Sequence, residues 1–390
     1  MKRRDFIIRT GITAAGLIMA PNHGFQIISK KKPRVVILGA GLAGLTAAHE
    51  LQKAGVDYII LEANERFGGR IFTKSINGAP IDLGGEWIGF SHFALRNLCD
   101  ELNLKLTKHH FNTHLAINDK YFAPGSWRLT EVEKQQNNLF SGSGPVSVFS
   151  RPNNEMDFKI DGGSSKLIQR LSNLGSASSK IKLNSRVVSV SKNEENYTIA
   201  CSNGKVYRST AVICTLPAPV ISSIKWRPQL PSEFIESLPI SIYQTTLKIP
   251  VAFNKAYWRD DNMELLTDKL CTYAYHTSQQ RRANVLTFAV SGQNAKDMLR
   301  MDPSARINQI VSTLKPVIGK NVLSSIKSVD YYKGLDVSRM FTYAVLDTDN
   351  TIECQSFGHL YFCGDYFTSS RGFMEASVQS AKQTMAKLLS

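Results

Sequence analysis

The chain is poor in cysteine, has no long apolar run, and shows no repeat or low-complexity tract. Its six cysteines among 390 residues form no C-x-x-C pair, so a cysteine-based metal site is not predicted and buried free thiols are expected. No nucleic-acid motif or arginine-rich block is present, which argues against nucleic acid as a partner. With 43% hydrophobic and 20% charged residues, the composition predicts a globular chain with a sizeable core.

Acidic residues are also scarce, 32 against 47 basic ones, which gives a formal net charge of +15. This excess favours an anionic cofactor, an anionic partner or an anionic membrane surface. It is equally typical of a solvated basic surface. Composition alone leaves these interpretations open.

The first twenty residues combine positive charge with a short apolar run. Arg3 and Arg4 precede a run over residues 11–20, which is shorter than the ~20 residues that cross a bilayer. A basic start followed by a short apolar region is typical of an export signal, and the paired arginines resemble the twin-arginine type. The alternative is an ordinary basic N-terminus. We expect residues 1–29 to be an export signal or anchor and the protein to be periplasmic or membrane-associated.

Three histidines, His109, His110 and His114, lie close together in the sequence. They could be metal ligands, but a polar surface segment is the more common origin of such a cluster. No metal is therefore predicted.

A glycine-rich turn separates an apolar strand-like run from a helical pattern. Residues 35–38 are apolar and β-branched, residues 39–44 read G-A-G-L-A-G, and apolar residues recur at helical spacing up to residue 53. A second apolar run over residues 58–61 ends on Glu62. This order of strand, turn, helix, strand and acidic residue is the dinucleotide-binding pattern.

Each residue type in this pattern has a physical task. Gly39 permits the tight turn, Gly41 lets the backbone approach a pyrophosphate, and Gly44 lets the helix pack closely on the strand. The first helical turn, with Leu42 and Ala43, offers unpaired N–H groups to phosphate. Glu62 can accept hydrogen bonds from a ribose diol. The unit is predicted to bind NAD or FAD.

The next segment, EANERFGGR over residues 62–70, resembles the flavin-containing amine oxidase family, which includes monoamine, polyamine and L-amino acid oxidases. The resemblance implies FAD, with Arg66, Gly69 and Arg70 near its phosphates. Asn64 stands where the family commonly has an arginine.

Further motifs extend the resemblance over residues 34–390. They are DLGGEWIG at 82–89, DGG at 161–163, RVVSV at 186–190, HLYFCGD at 359–365 and GFMEA at 372–376. By resemblance, the additional FAD-binding residues are Gly84, Gly85, Glu86, Trp87, Val187, Gly364, Asp365, Phe373 and Met374.

The resemblance implies an α/β fold with a Rossmann-like, glutathione-reductase-like FAD-binding domain and an interleaved α+β substrate domain. We expect the FAD-binding domain to comprise residues 33–90, 157–228 and 340–390. The substrate domain would comprise residues 91–156 and 229–339, and it would be shorter than is usual in the family.

Lys248 precedes Trp258 at the spacing of a family lysine that holds a water near flavin N5. The alternative is a surface lysine on an edge strand. Pro250 in the same stretch favours an edge or a bulge.

Phe341 and Phe373 match two tyrosines that flank the substrate amine in monoamine oxidases, although core packing explains them equally well. Met340 stands where some members have a cysteine bonded to flavin. FAD is therefore expected to be non-covalent.

The resulting functional hypothesis is amine oxidation, with hydride transfer to flavin N5, imine hydrolysis, and reoxidation by O2 to give H2O2. Three alternatives stay open. They are an L-amino acid oxidase, a dehydrogenase of the desaturase or protoporphyrinogen oxidase type acting at a membrane surface, and a flavin-binding protein without turnover.

Overall fold

The computed structural model describes residues 35–126, 155–175, 177–194, 196–238, 245–258, 260–277, 283–319, 321–330, 332–333 and 353–390. The N-terminal leader, Met340 and Phe341 lie outside the described residues. The predictions that concern them therefore stay predictions.

The described residues form many short strands and a smaller set of helices. The strands are β1 Val35–Leu38, β2 Tyr58–Leu61, β3 Thr73–Ile76, β4 Ala79–Asp82, β5 Leu106–Lys108, β6 Asn112–Ile117, β7 Lys120–Phe122, β8 Phe158–Ile160, β9 Ile181–Lys182, β10 Val187–Asn193, β11 Asn196–Cys201, β12 Val206–Ser209, β13 Ala211–Cys214, β14 Lys225–Arg227, β15 Thr246–Phe253, β16 Met263–Thr267, β17 Tyr273–His276, β18 Val285–Ser291, β19 Ile326–Val329, β20 Tyr332–Lys333, β21 Ser356–Phe357 and β22 Leu360–Phe362. The helices are α1 Leu42–Lys53, α2 Phe93–Glu101, α3 Ser165–Asn173, α4 Ala177–Lys180, α5 Ala218–Ile221, α6 Ser232–Ser237, α7 Gly292–Arg300, α8 Pro303–Ile318, α9 Val322–Ser325 and α10 Met374–Leu389.

A six-stranded sheet in the order β21-β22-β13-β1-β2-β9 forms the first layer. Its strands are parallel except β21, which pairs antiparallel with β22. β1, β2 and β13 are buried along their whole length, as expected for the continuous apolar runs of a covered parallel sheet. Helix α1 packs against α10 and α3. The strand–turn–helix–strand unit predicted from residues 35–62 is confirmed.

An eight-stranded sheet forms a second layer, with the path β19-β15-β18-β17-β16-β6-β7 and β20 paired to β15. Side chains of α7 and α8, among them Met298 and Leu314, pack with the apolar residues of this sheet in a core of its own. A four-stranded sheet in the order β12-β11-β10-β14 packs instead against the core of the parallel sheet.

The chain passes between these layers more than once. The parallel and four-stranded sheets use residues 35–61, 181–227 and 356–362, whereas the eight-stranded sheet uses residues 112–122 and 246–333. The domain boundaries expected from the sequence stay a prediction.

All six cysteines are buried as free thiols, as the absence of C-x-x-C pairs predicted. Burial raises the pKa of Cys99, Cys214 and Cys271 to about 12, so these thiols are inert at neutral pH. Among the described helices, none is both long and apolar enough to cross a membrane.

Candidate active site

The carboxyl ends of four parallel strands meet at one edge of the six-stranded sheet. Gly39 follows β1, Glu62 follows β2, Thr215 follows β13 and Asp365 lies shortly after β22. The Thr215 hydroxyl donates to the Leu38 carbonyl oxygen at 2.9 Å, which ties two of these ends together. Ligands of open parallel sheets bind at this edge, so a ligand site is expected here.

The glycine turn leaves room for a ligand at one position. Gly39 has φ +101°, and a Cβ added at Gly44 would lie 2.0 Å from the Gly39 carbonyl oxygen. Both residues are therefore required by the turn itself. A Cβ added at Gly41 would instead meet no heavy atom within 4 Å. This open space, at the N-terminus of α1, is where a pyrophosphate fits.

Glu62 lies beside the turn and is only 6% exposed. Its Oε2 accepts the Ala40 N–H at 2.9 Å, and its Oε1 accepts the backbone and side-chain N–H groups of Asn64, also at 2.9 Å. A carboxylate can accept about four hydrogen bonds, so these three are compatible with a ribose hydroxyl as a further donor.

The segment after Glu62 folds back over the turn. The Gly68 N–H donates to the Ala40 carbonyl at 2.8 Å, and a Cβ added at Gly69 would lie 3.3 Å from the Gly41 Cα. The backbone at Gly69 therefore lies close beside Gly41.

The two arginines of this segment have different partners. Arg70 forms a bidentate pair with Asp365, with Nη1 at 2.6 Å from Oδ2, although the residues are 295 positions apart. Arg66 donates to the Gly69 carbonyl at 2.8 Å and lies 4.8 Å from the Phe72 ring. Arg70 thus links the motif over residues 62–70 to the motif over residues 359–365. Phosphate binding by either arginine stays a prediction.

The loop over residues 82–89, which contains Gly84 and Gly85 and which we call the paired-glycine loop, packs against the start of α10. The Gly85 N–H donates to the Arg70 carbonyl at 2.9 Å, and a Cβ at Gly85 would lie 3.2 Å from Met374. The last predicted motif also reaches this edge, because the Gly364 N–H donates to Ser380 of α10 at 3.0 Å. Gly84, Gly85, Gly364 and Met374 therefore surround the same edge of the sheet.

Val187 begins β10 beside the ribose-side residues. The adjacent segment is bonded to them, since the Ser185 N–H donates to the Glu62 carbonyl at 2.7 Å and the Asn184 N–H to the Asn64 carbonyl at 3.0 Å. Contact of Val187 with the cofactor stays a prediction.

Phe373 is the N-cap residue of α10, and its ring lies against His92 at 4.9 Å between centroids. The neighbouring Glu375 accepts the N–H groups of Ala94 and Leu95 at the start of α2, at 3.0 and 2.7 Å. These contacts fix the start of α10 relative to α2, and with it the Phe373 ring.

Lys248 is buried, at 5% exposure, and reaches from the eight-stranded sheet to the paired-glycine loop. Its Nζ donates to the carbonyl oxygens of Asp82 at 3.2 Å and Gly84 at 3.0 Å, and to Glu86 Oε2 at 2.8 Å. The interpretation as a surface lysine is wrong.

The expectation that Pro250 marks a strand edge is also wrong. Its strand β15 pairs with β18 on one side and with β19 and β20 on the other. The register irregularity falls later, between Ala252 and Phe253.

Glu86 is the centre of a buried cluster of four side chains, Glu86, Lys159, Lys248 and Tyr275, which we call the Glu86 cluster. Oε1 accepts from Lys159 Nζ at 2.8 Å, and Oε2 accepts from Lys248 Nζ at 2.8 Å and the Tyr275 hydroxyl at 2.6 Å. Contact of Glu86 with the cofactor stays a prediction, since its carboxylate is turned toward these partners.

The electrostatics of the Glu86 cluster follow from burial and pairing. Burial raises the pKa of Glu86, but the two ammonium groups outweigh it and lower the pKa to about 2. Burial lowers the pKa of Lys159, and the attraction of Glu86 offsets part of that effect. Burial and the charge of Glu86 raise the pKa of nearby Asp82 to about 6. Glu86 is therefore ionised at neutral pH, and Lys159 loses its proton more readily than an exposed lysine.

Trp87 forms the aromatic side of the Glu86 cluster. Lys159 Nζ lies 4.0 Å from the centre of the Trp87 ring, and His109, Phe111 and Tyr275 surround that ring at 4.9 to 5.5 Å. Burial and the positive charge of Lys159 lower the pKa of His109 to about 3. His109 is therefore neutral.

The three clustered histidines do not converge on one point. His109 contacts Trp87 and Phe111, His110 contacts Asn262, and His114 bonds to Tyr121. The polar-segment interpretation holds for His110, whereas His109 is part of the half-buried aromatic group around Trp87.

Sequence reasoning missed Lys159 and Tyr275. Each bonds to a carboxylate that lies 73 or 189 positions away along the chain. The one local sign for Lys159 is a lysine between apolar residues in a short strand, next to the Asp161-Gly162-Gly163 motif.

Comparison with known proteins places these observations in a family context. A family model for flavin containing amine oxidoreductases matches residues 42–143 and 121–389. Flavin-containing amine oxidase A of Bos taurus is 21% identical, with 91% of this chain and 84% of the relative covered. Lysine-specific histone demethylase 1 homolog 2 of Oryza sativa subsp. japonica is 24% identical over 81% of this chain, which spans 50% of that protein.

Among solved structures, putrescine oxidase bound to putrescine superposes with a TM-score of 0.71 at 18% identity, with 92% of this chain and 99% of that chain covered. A likeness at this identity concerns the fold. It confirms the predicted α/β class with a Rossmann-like dinucleotide-binding part and a substrate part.

Proposed function

The chain belongs to the family of flavin containing amine oxidoreductases, and from this premise we propose that it is an FAD-dependent oxidase of a small amine. The observation that carries the proposal is the buried ammonium of Lys248. It reaches from the eight-stranded sheet to the carbonyl oxygens of Asp82 and Gly84 in the paired-glycine loop. A preorganised cation stabilises negative charge that develops next to it, as happens when a reduced flavin passes electrons to oxygen.

The residues present fit FAD. Its pyrophosphate would be held at the open space beside Gly41, and its ribose hydroxyls would be bound by Glu62. Gly84, Gly85 and Met374 would support the other end of the cofactor.

The chain's own side chains orient the substrate and protect the reaction. When bound, the flavin supplies the acceptor for two electrons and the hydrogen of the carbon next to the amine nitrogen. Phe373, held by His92, offers an apolar wall that excludes water and positions the amine, and Phe341 is proposed as the facing wall. Lys248 holds positive charge at the paired-glycine loop, which assists electron transfer to oxygen.

An anaerobic screen of amines and amino acids tests this function. We expect apolar or aromatic amines to bleach the flavin absorbance and to yield peroxide after oxygen is admitted. Bleaching by amino acids alone would make the protein an L-amino acid oxidase. Bleaching without peroxide would point to a dehydrogenase, and fully bound FAD that no amine bleaches would reject turnover of amines.

We expect FAD to be held without a covalent bond, because Met340 stands where a linking cysteine would be needed. Acid precipitation should release the yellow colour into the supernatant, where absorbance quantifies it. Colour that remains in the washed pellet would contradict this.

We also propose export through the paired arginines of the leader, supported by Arg3 and Arg4 before a short apolar run. A folded reporter fused to residues 1–29 should reach the periplasm. Replacing both arginines by lysine should retain it inside the cell, and unchanged export would reject the assignment.

Phe373→Ala should lower kcat/KM for an aromatic amine by about 10- to 100-fold, because one aromatic contact contributes about 1 kcal/mol and misplacement adds to the loss. Steady-state kinetics measures the effect. Phe90→Ala is the matched control, since that ring is 64% exposed and its removal should leave kcat/KM unchanged. An unchanged kcat/KM for Phe373→Ala would assign that ring to packing.

A further inference from the structure

The Glu86 cluster contains two buried cations but one carboxylate at its centre. Glu86 is 2% exposed, Lys159 3% and Lys248 5%, so little water is available to stabilise either charge. Both ammonium groups lie 2.8 Å from Glu86, one on each oxygen. With Tyr275 neutral, the cluster carries a formal charge of +1. The two lysines therefore share one directly bonded carboxylate.

The two lysines are not equivalent. Lys248 donates to two carbonyl oxygens of the paired-glycine loop in addition to Glu86, and such bonds favour the ammonium form. Lys159 has the face of Trp87 as its second neighbour. Burial and the charge of Lys248 both lower the pKa of Lys159, and the carboxylate of Glu86 offsets part of that effect.

Other titratable groups face the Glu86 cluster from the elements around it. They are Asp82, His109 and Tyr273. The Asp82 carboxylate bonds to Thr73 and Ser164 rather than to either lysine, and His109 is neutral above a pKa of about 3. Between pH 7 and 10 the charge of the cluster therefore depends on its lysines.

We propose that Glu86 is a positioning residue that fixes Lys248 against the paired-glycine loop and keeps it protonated, while Lys159 competes for the same carboxylate. Lys159 thereby sets the pH at which Lys248 loses its charge. The consequence for reoxidation by oxygen rests on the proposed function, whereas the charge coupling itself does not.

Opposite shifts in a pH profile test the proposal. The enzyme is reduced with dithionite, mixed with oxygen, and its reoxidation rate is measured between pH 6 and 11. The rate should fall at high pH as Lys248 deprotonates. In Glu86→Gln the pH at which the rate falls should be lower by about 1–3 units, because a close opposite charge is lost. In Lys159→Met this pH should be higher by about 1 unit, because a close like charge is lost.

In the double variant Glu86→Gln/Lys159→Met, the pH at which the rate falls should lie between that of Glu86→Gln and that of the wild type. The attraction of Glu86 and the repulsion of Lys159 are then removed together. Glu264→Gln is the matched control. Glu264 is also a buried glutamate that accepts a tyrosine hydroxyl from β17, that of Tyr273 at 3.0 Å, but its other partner is Thr113. Its replacement should leave the pH of the fall unchanged.

The cofactor-free protein gives an independent measurement. Glu86→Gln leaves buried ammonium groups without their carboxylate, so its thermal midpoint should drop by roughly 5–10 °C at pH 7. The drop should shrink toward pH 10, because the lysines can then deprotonate. Lys159→Met leaves Glu86 paired with Lys248, so it should lower the thermal midpoint by less than Glu86→Gln does at both pH values.

The proposal would be overturned if the pH at which the rate falls shifted in the same direction in both single variants, or in neither. If Glu86→Gln does not fold, the upward shift of Lys159→Met decides alone. If FAD does not bind, the proposed function fails, but the thermal series of the cofactor-free protein still tests the charge coupling.

Discussion

Replacement of Lys248 by methionine is expected to slow reoxidation of the reduced enzyme by oxygen by ~10- to 1000-fold, the range for loss of one preorganised charge. Reduction by the amine should be largely kept, because the Lys248 ammonium is bonded to the paired-glycine loop and Glu86, while the proposed substrate wall Phe373 lies against His92. Methionine preserves most of the side-chain length and leaves Glu86 paired with Lys159.

Stopped-flow absorbance of the two half-reactions separates these effects. Lys180→Met is a suitable control, because Lys180 also lies over an aromatic ring, that of Tyr58 at 4.3 Å, but on α4 and away from the paired-glycine loop. Its two half-reactions should match the wild type. An unchanged oxygen rate in Lys248→Met would remove Lys248 from the oxidative step.

Gly41→Val is expected to weaken FAD binding by about 100-fold or more while leaving the cofactor-free protein folded. The added side chain would fill the space in which no heavy atom lies within 4 Å. It would displace a phosphate that charge-assisted hydrogen bonds hold, each of about 1.5–3 kcal/mol, and two such losses exceed the 2.7 kcal/mol of a 100-fold change.

The backbone tolerates this substitution, since Gly41 has φ −78° in an extended conformation. The thermal midpoint of the cofactor-free protein should therefore stay within about 3 °C of the wild type. Gly44→Ala is the contrasting variant, because its Cβ would collide with the Gly39 carbonyl and force the helix off the strand. Flavin fluorescence titration measures binding. Wild-type affinity in Gly41→Val would contradict a pyrophosphate at this position.

The sequence was sufficient to predict those features that neighbouring residues determine. The strand over residues 35–38, the turn at Gly39 and the helix to Lys53 follow from apolar spacing and from backbone conformations that neighbouring residues determine. The expectation that the cysteines are free and buried was equally local, because it followed from their spacing and apolar surroundings.

The sequence was insufficient where a side chain's partner comes from a distant part of the chain. Pro250 suggested an edge, yet strands on both sides cover β15, because sheet order depends on how whole layers assemble. Arg66 and Arg70 looked alike as phosphate ligands, but Arg70 pairs with Asp365 and Arg66 with backbone carbonyls.

By itself the sequence determined the glycine turn, the acidic residue after the second strand and a lysine at a recognisable spacing. Tertiary structure decided what that lysine does, by bringing Glu86, Lys159 and Tyr275 to it from three separate elements. The physical reason is that turn geometry is fixed by adjacent backbone angles, whereas the charge of a buried ammonium is fixed by the carboxylates and dipoles around it. Those neighbours are defined only once the two sheets have packed together.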